Sequence, residues 1–524
     1  MSTHNEGNNM GEDKVKELRE MKKRSRAGGG AERVEAHRMQ GKMTARERVD
    51  ALLDPGSFSE LDTFVSHQAY HFGMEKQKVP GDGVVTGRGT IDGRQVFVYA
   101  QDFTVFAGSV GRMHAKKICK AIDLAVKTGC PIIALYDSGG ARLQEGVDSL
   151  AGYGEIMFRH SLASGLIPQI AMVMGPCAGS GVYAPMLSDF VFMVKDKSFM
   201  FMVGPDVIKA VQNETVTFEE LGGASIHASR SGSAHFVAED DLDCIKQVKK
   251  LMSYLPSNNL EQPPRRPTGD DPERREDSLD TIIPEDPMKP YDMKEVIRKV
   301  VDKGELFEVQ EQFARNIITA FARMDGGPVG IVANQPMALA GTLDASSSLK
   351  AARFVRFCDS FNVPVVTLVD VPGYLPSVDQ ENGSLLRDST KLLYAYAEAS
   401  VPKVTLVTRK AIGGAYCVMG SKALRSDVNL AWPTAEIAIV GPEGAINIVF
   451  KQDLIMADDP QEKRDVLISE YRKLYASAFF AAERGYLDDI IEPNNTRMRV
   501  IEALEMLDRK REARPAKKHG NMPL

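Results

Sequence analysis

Four short glycine-bearing turns are the residues of this sequence best suited to chemistry. Asp137-Ser138-Gly139-Gly140 and Asp370-Val371-Pro372-Gly373 each follow a short apolar run, and so do Gly179-Ser180-Gly181 and Gly413-Gly414-Ala415. Each run reads as a strand, and each turn opens onto a helical pattern. Glycine lets a backbone approach a ligand closely. A helix N-terminus presents free N–H groups and a positive dipole end. Together they suit an anion, either a phosphate or a developing oxyanion. One such turn would read as packing alone; four in a twofold pattern read as a functional pair.

Other chemistries find less support. Gly175-Pro176-Cys177-Ala178-Gly179 has the spacing of a nucleophile elbow. A thiol nucleophile needs a base, and no histidine is implicated nearby, so Cys177 reads as a small buried thiol. Gly81, Gly83, Gly87 and Gly89 do not make a dinucleotide fingerprint, and there is no phosphate loop of the GKS or GKT type. There is no HExxH, and the nine histidines do not fall at ligand spacing, which argues against a metal. His227 and His235 read as structural or surface groups. Trp432 reads as core.

The elements that position these turns repeat. Pro131–Gly140 and Pro364–Gly373 are in register (364 − 131 = 233), and Pro168 and Pro402 are 234 apart. The same offset of 233 links the hairpin signals Asp92-Gly93 and Asp325-Gly326, Ala107-Gly108-Ser109 and Ala340-Gly341-Thr342, Lys117 and Lys350, and Asp137 and Asp370. Within each copy the order is hairpin, helix, strand, turn, helix, strand, turn, helix. The hairpin of the first copy spans Gly83–Tyr99, and the helical patterns run Gly111–Lys127 and Ser346–Phe361. Ile132–Tyr136, Ile170–Met174, Val365–Val369 and Val404–Val407 are short and rich in branched residues, as buried strands are. The expectation is a duplicated α/β fold.

At 524 residues the chain exceeds one ordinary core. Pro256–Pro290 holds eight prolines among charged residues and reads as an inter-domain linker. The expected domains are 1–262, a proline-rich linker over 263–279, and 280–524, with the second copy running from about residue 280 to 505. Residues 1–13 read as disordered, 14–27 as a basic helix ending at Gly28-Gly29-Gly30, and the basic tail after residue 512 as mobile. Thr44 and Glu47 form a capping box for a helix that stops at Asp54-Pro55-Gly56. A net charge of −6 argues against a nucleic-acid binder. Scattered cysteines without CxxC fit a reducing compartment. The N-terminus has no apolar signal region, and the apolar stretch near Ile167–Leu187 is interrupted by Gln169, Gly175, Pro176, Gly179 and Gly181, so the expectation is a cytoplasmic, non-membrane protein.

Longer strings carry a resemblance. Thr44-Ala45-Arg46-Glu47-Arg48, DSGGARLQEGVDSLAGYGEI (137–156), MGPCAG (174–179), FMVKDKSFMFMVGPDVIK (192–209), FARMDG (321–326), SSSLKAARFVRFCD (346–359), VDVPGYLP (369–376), VPKVTLVTRKAIGGAY (401–416) and AWPTAEIAIVG (431–441) resemble the carboxyltransferase (β) subunits of biotin-dependent acyl-CoA carboxylases. The propionyl-CoA carboxylase group is nearest, with the related transcarboxylases and decarboxylases. The likeness covers nearly the whole chain after about residue 12.

That resemblance implies two crotonase-like ββα-superhelix domains and a hexamer of two stacked trimers, each active site lying between the N-domain of one subunit and the C-domain of another. The implied reaction is carboxyl transfer from carboxybiotin to the α-carbon of a short-chain acyl-CoA. By resemblance, the Gly179 and Ser180 amides stabilise the acyl-CoA enolate, and the Gly414 and Ala415 amides, with Gly413, hold biotin. Biotin itself then takes the α-proton, and no side-chain base is required. Coenzyme A is expected over the N-domain near Gly139 and Gly140. Arg142 is expected either to face a phosphate or to form a structural salt bridge. Biotin is expected on a lysine of a separate carrier, supplied with biotin carboxylase by partner subunits, and no metal is implied. Two positions depart from the family pattern. Ser180 stands where Gly is common, and Cys417 stands where propionyl-preferring members carry Asp, which keeps acetyl-CoA and butyryl-CoA open. The alternatives are a decarboxylase or transcarboxylase component, a silent scaffold for the biotin subunits, and a hydratase or isomerase of the crotonase type.

Overall fold

The computed structural model of the chain describes residues 6–523. The chain divides into two compact units, Met1–Glu261 and Gln262–Leu524. Of the residues expected to be disordered at the N-terminus, 1–5 lie outside the described residues, while Glu6 already begins a helix that runs to Arg26. Two shorter helices follow, Ala31–Met39 and Ala45–Leu52. The second opens on the expected capping box: the Glu47 amide donates to Thr44 Oγ1 at 3.3 Å and the Thr44 amide donates to Glu47 Oε2 at 2.8 Å.

The first unit is built on β1 (Ser59–Leu61), β2 (Val84–Ile91), β3 (Arg94–Gln101), β4 (Ile132–Ser138), β5 (Gln169–Ala178), β6 (Phe190–Val194), β7 (Phe199–Phe201) and β8 (Phe236–Ala238). The sheet order is β1-β2-β3-β4-β5-β6-β8, with β7 paired to the end of β5. β1 to β3 are antiparallel and the rest parallel. β4 is buried along its whole length, which explains its unbroken apolar run. The helices Arg112–Thr128 and Val147–Ala163 cover one face. Ala115, Ile118, Ile122 and Ala125 of the first recur at helical spacing and join Tyr153, Ile156, Ile132, Ala134, Tyr136 and Val173 in one core.

The second unit repeats this plan with β9 (Phe307–Val309), β10 (Ile317–Met324), β11 (Gly327–Asn334), β12 (Val365–Val371), β13 (Lys403–Ile412), β14 (Val428–Ala431), β15 (Glu436–Ala438) and β16 (Asp489–Ile490). Its order is β16-β14-β13-β12-β11-β10-β9, with β15 paired to β13 as β7 is to β5. Both ends of β2, β3 and β4 coincide with those of β10, β11 and β12 at the 233 offset, and β5 coincides with β13 at 234. The hairpin tips behave as their Asp-Gly pairs predict. Asp92 and Gly93 have φ 50° and 76°, and Asp325 and Gly326 have φ 46° and 74°. Trp432 is fully buried in the second core, its indole N–H donating to Thr496 Oγ1 at 2.9 Å.

The proline-rich stretch lies against the second unit. The Arg266 amide donates to the Gly326 carbonyl at 2.9 Å, and Arg274 donates to the Lys299 and Val301 carbonyls at 2.7 and 3.1 Å. The tail after Lys510 has no regular structure, yet Arg514 donates to the Ala397 and Ala399 carbonyls at 2.8 and 2.9 Å, and Lys517 pairs with Glu398. Among the described residues no helix is long and apolar enough to cross a membrane.

Candidate active site

The first turn of each copy is held by a left-handed stretch of backbone. Phe106, Ala107 and Gly108 have φ 51°, 53° and 62°; Leu339, Ala340 and Gly341 have φ 48°, 54° and 76°. Four of these six residues carry a side chain, so the conformation costs energy twice, at matching places. The reason is close approach. A Cβ on Gly108 would lie 2.3 Å from the Asp137 carbonyl oxygen, and one on Gly341 would lie 2.6 Å from that of Asp370. The Ala107 carbonyl then accepts the Gly139 amide at 2.8 Å, and Gly140 turns with φ 100°. Gly139 is exposed and Gly140 is buried.

The second turns lie beside the first. A Cβ on Gly140 would approach the Ala178 carbonyl oxygen to 3.4 Å, and one on Gly414 would meet the Tyr374 ring at 4.0 Å. β5 leads into the helical turn Gly179–Val182, continued by the helix Tyr183–Leu187, and β13 leads into the helix Gly413–Val418. Gly179 and Gly413 open these turns with φ 59° and 66°, where a side chain would be strained. First-turn amides have no intrahelical carbonyl to bind. A Cβ on Gly179 would meet nothing within 4 Å, and Gly414 has only the Tyr374 ring at that limit. Gly179 and Gly414 thus face open space, while a Cβ on Gly413 would lie 3.1 Å from the Ile439 carbonyl oxygen. Gly179 is structurally equivalent to Gly413, Ser180 to Gly414 and Gly181 to Ala415. The pairs Gly179-Ser180 and Gly414-Ala415 are thus staggered by one residue, and the Ser180 and Gly414 amides are the matching members.

Beneath the first turns lie two carboxylates that the sequence showed only as a repeat. Asp137 is fully buried; Arg48 donates to its Oδ2 at 2.9 Å, to Asp241 Oδ2 at 2.8 Å and to the Met174 carbonyl at 3.1 Å. His37 and Lys42 stand 3.7 Å from the same carboxylate, and burial lowers the pKa of both. Gly175 must be glycine here, since a Cβ would lie 1.9 Å from Asp137 Oδ1. In the second unit Arg409 donates to Asp370 Oδ2 at 3.0 Å, and the Lys410 amide donates to Oδ1 at 3.0 Å. The arginines come from different places, a helix of the N-terminal arm in one copy and β13 in the other. No common motif announces them.

Of the two readings of Arg142, the structure has the salt bridge. Its guanidinium is buried and donates to Asp82 at 2.6 Å, Glu145 at 2.9 Å, and Ser109 Oγ and carbonyl at 3.3 and 2.7 Å. Turning it to a ligand would strand a buried Asp82. Cys177 is buried, and burial pushes its thiol up to about 12, which suits packing and not attack. His160 is buried between Tyr99 Oη (3.0 Å) and Gln169 Oε1 (2.6 Å), and burial lowers it to about 4. His227 is a structural group, its Nε2 2.8 Å from the Met200 carbonyl. Cys417 is exposed one helical turn beyond Gly414, beside Tyr416, whose hydroxyl burial raises to about 12. Among the described residues no group of three or more His, Cys, Asp or Glu could hold a metal ion.

Comparison with known proteins supplies the family. The carboxyl transferase domain family matches residues 36–522. The chain is 56% identical to a propionyl-CoA carboxylase carboxyltransferase subunit of Haloferax mediterranei, over 98% of this chain and 99% of that protein. It is 55% identical to methylmalonyl-CoA decarboxylase subunit alpha of Veillonella parvula, again over 98% and 99%. The solved transcarboxylase 12S, described as a hexamer with methylmalonyl-coenzyme A bound, superposes with a TM-score of 0.96 at 50% identity, over 100% of this chain and 99% of that one. The duplicated α/β units, their paired strand-to-helix turns and full-length identities above one half agree: the chain belongs to the carboxyltransferase subunits of biotin-dependent acyl-CoA carboxylases.

Proposed function

We propose that this carboxyltransferase moves a carboxyl group to the α-carbon of a short-chain acyl-CoA, with propionyl-CoA as the first substrate and acetyl-CoA as the second. Carboxybiotin, delivered on a partner subunit that also works with biotin carboxylase, supplies the carboxyl group. The observation that carries the reading is the pair of equivalent strand-to-helix turns, at Gly179-Ser180 and at Gly413-Gly414-Ala415, with Gly179 and Gly414 facing open space. The reaction places negative charge on two oxygens, the thioester oxygen and the ureido oxygen, and each needs fixed N–H donors. In this reading the Gly179 and Ser180 amides receive the thioester oxygen and the Gly414 and Ala415 amides the ureido oxygen. The region 1–262 takes the acyl-CoA, with Gly139 and Gly140 beside its turn, and 280–524 takes the biotin. Six free cysteines fit a reducing compartment such as the cytoplasm. The assembly is a homo-hexamer, supported by the likeness to the hexameric transcarboxylase 12S.

The test is methylmalonyl-CoA formation from propionyl-CoA with the cognate biotin subunits, ATP and bicarbonate; no product would overturn the reading. Gly414→Pro sharpens it, because proline fits a helix's first turn while lacking the N–H. Transfer should fall about 10²–10³-fold, the usual cost of one oxyanion donor, with the assembly intact. Full activity would remove Gly414 from the site. The 55% identity to a methylmalonyl-CoA decarboxylase subunit favours one second reading, the same half-reaction run as a decarboxylase or transcarboxylase component. Co-purification with a membrane sodium-pumping subunit instead of biotin carboxylase would select it.

A further inference from the structure

Between the sheet and the helices of the first unit, directly under both of its glycine turns, lies a small cavity. Tyr99, Gln101, Ser138, Tyr153, Cys177 and Gly181 are among the residues that line it. It measures about 10 Å³ as the centre of a water-sized sphere explores it. That is about the least that holds one water, and it is far too small for a two- or three-carbon acyl chain.

Three lining positions are polar where the second copy has valine. At the 233 offset, Tyr99, Tyr136 and Ser138 correspond to Val332, Val369 and Val371, and Gln101 corresponds to Asn334. Some of these polar groups satisfy one another: Tyr99 Oη lies 2.6 Å from Tyr136 Oη and 3.0 Å from His160 Nε2. Two do not. Tyr153 Oη and Gln101 Oε1 are buried without a hydrogen-bond partner, each in a residue only 4% exposed. The orientation of the Gln101 amide is fixed by its neighbour. His114 Nδ1 is 2.9 Å from the Asp82 carbonyl and so donates; its Nε2 must then accept from Gln101 Nε2, at 3.4 Å. Gln101 Oε1 is left needing a donor, and Tyr153 Oη, close to the Ser138 hydroxyl but without a hydrogen bond of good geometry to it, needs an acceptor. In the second copy Asn334 meets its needs within the protein, accepting the Asp370 amide at 3.2 Å and donating to the Gly341 carbonyl at 3.3 Å.

We propose that this cavity is a built site for a single buried water, which donates to Gln101 Oε1 and accepts from Tyr153 Oη. Ser138 Oγ, which already receives the Gly140 amide at 3.1 Å, lines the same space and ties the water to the first turn. Gly181 borders it at the second turn, where a Cβ would lie 3.4 Å from Tyr153 Oη. The water braces both turns of the first unit from below, while in the second unit Asn334 bonds directly to the Asp370 amide at the first turn.

The experiment is a high-resolution crystal structure of the full chain, free, with acyl-CoA and under xenon pressure, compared with the Tyr153→Phe/Gln101→Leu double variant. One ordered solvent peak within hydrogen-bond distance of Tyr153 Oη and Gln101 Oε1 is expected, unchanged by acyl-CoA. Xenon, which enters dry apolar cavities, should be excluded from the native cavity and admitted by the double variant. Xenon in the native cavity, acyl carbons in it, or a void with no peak would each overturn the proposal. The native arms stand by themselves if the variant does not fold.

Discussion

The two positions expected from the resemblance to depart from the family pattern lie at the second turns, Ser180 within one and Cys417 two residues beyond the other. Ser180 occupies the place equivalent to Gly414, so this chain itself shows what the alternative is. Its amide survives the exchange; its hydroxyl is the addition. Cys417 is three residues beyond Gly414 on the same helix, hence on the same face and bordering the same space. An aspartate there would bring a charge, an acceptor and more bulk to the Gly414 turn, which the proposed arrangement sets against the acyl-CoA of a neighbouring subunit. Cys417→Asp is therefore expected to raise the ratio of kcat/KM for propionyl-CoA over acetyl-CoA by roughly tenfold, since one methylene in a pocket is worth about 1–3 kcal/mol. Steady-state kinetics with both substrates measures it, and an unchanged ratio rejects Cys417 as the selector.

At the scale of elements, each copy pins its covering helix to its hairpin with one buried lysine. Lys117 donates to the Gly81 carbonyl at 2.8 Å and to that of Val84. Lys350 donates to the carbonyls of Gln310, Phe313 and Ile317 at 2.9, 2.8 and 2.8 Å. Burial lowers the two ammonium groups to about 8 and about 7, against the pull of nearby carboxylates, Glu60 and Asp82 on Lys117 and Glu308 and Glu311 on Lys350. Lys350→Met should cost on the order of 3 kcal/mol or more, because it orphans several buried acceptors at once. Urea unfolding measures this, and a loss within experimental error would mean that those carbonyls find other donors. The shared register of Lys117 and Lys350 was legible in the sequence, as were the strands, the Asp-Gly hairpins and the four turns, because all follow from local pattern. What was not legible depends on distant partners. Nothing in Phe106-Ala107-Gly108 announces three left-handed residues, and only the fold shows the Asp137 carbonyl packed so close to residue 108 that it must be glycine. Arg48 reads as one more charge in a helix until the fold brings it to Asp241, 193 residues away. Arg142 had two open readings because the sequence could not say that Asp82 would face it.

Among the described residues, several stretches expose apolar side chains densely, and the one at 439–456 is the most exposed per residue. Ile439, Ile448, Val449, Ile455 and Met456 are exposed by 90%, 74%, 65%, 72% and 82%. They lie within a short stretch that carries only a small core of its own, Ile446, Leu454 and Leu467 with a few partly buried neighbours. Single exposed apolar side chains are ordinary, but this many within 18 residues of sequence (439–456) marks a surface meant to be covered. A second copy of the chain is the occupant that the proposed hexamer would supply. Ile455→Glu/Met456→Glu would bury two charges in such a contact, and an unpaired buried charge is costly. The variant is expected to sediment as species smaller than the native assembly and to lose carboxyl transfer with it, since each site in the proposed arrangement needs a neighbouring subunit. Unchanged sedimentation would clear this surface of any part in assembly. Dissociation with activity retained would go further, because it would mean that one chain holds a complete site and that the two glycine-turn pairs do not serve different subunits.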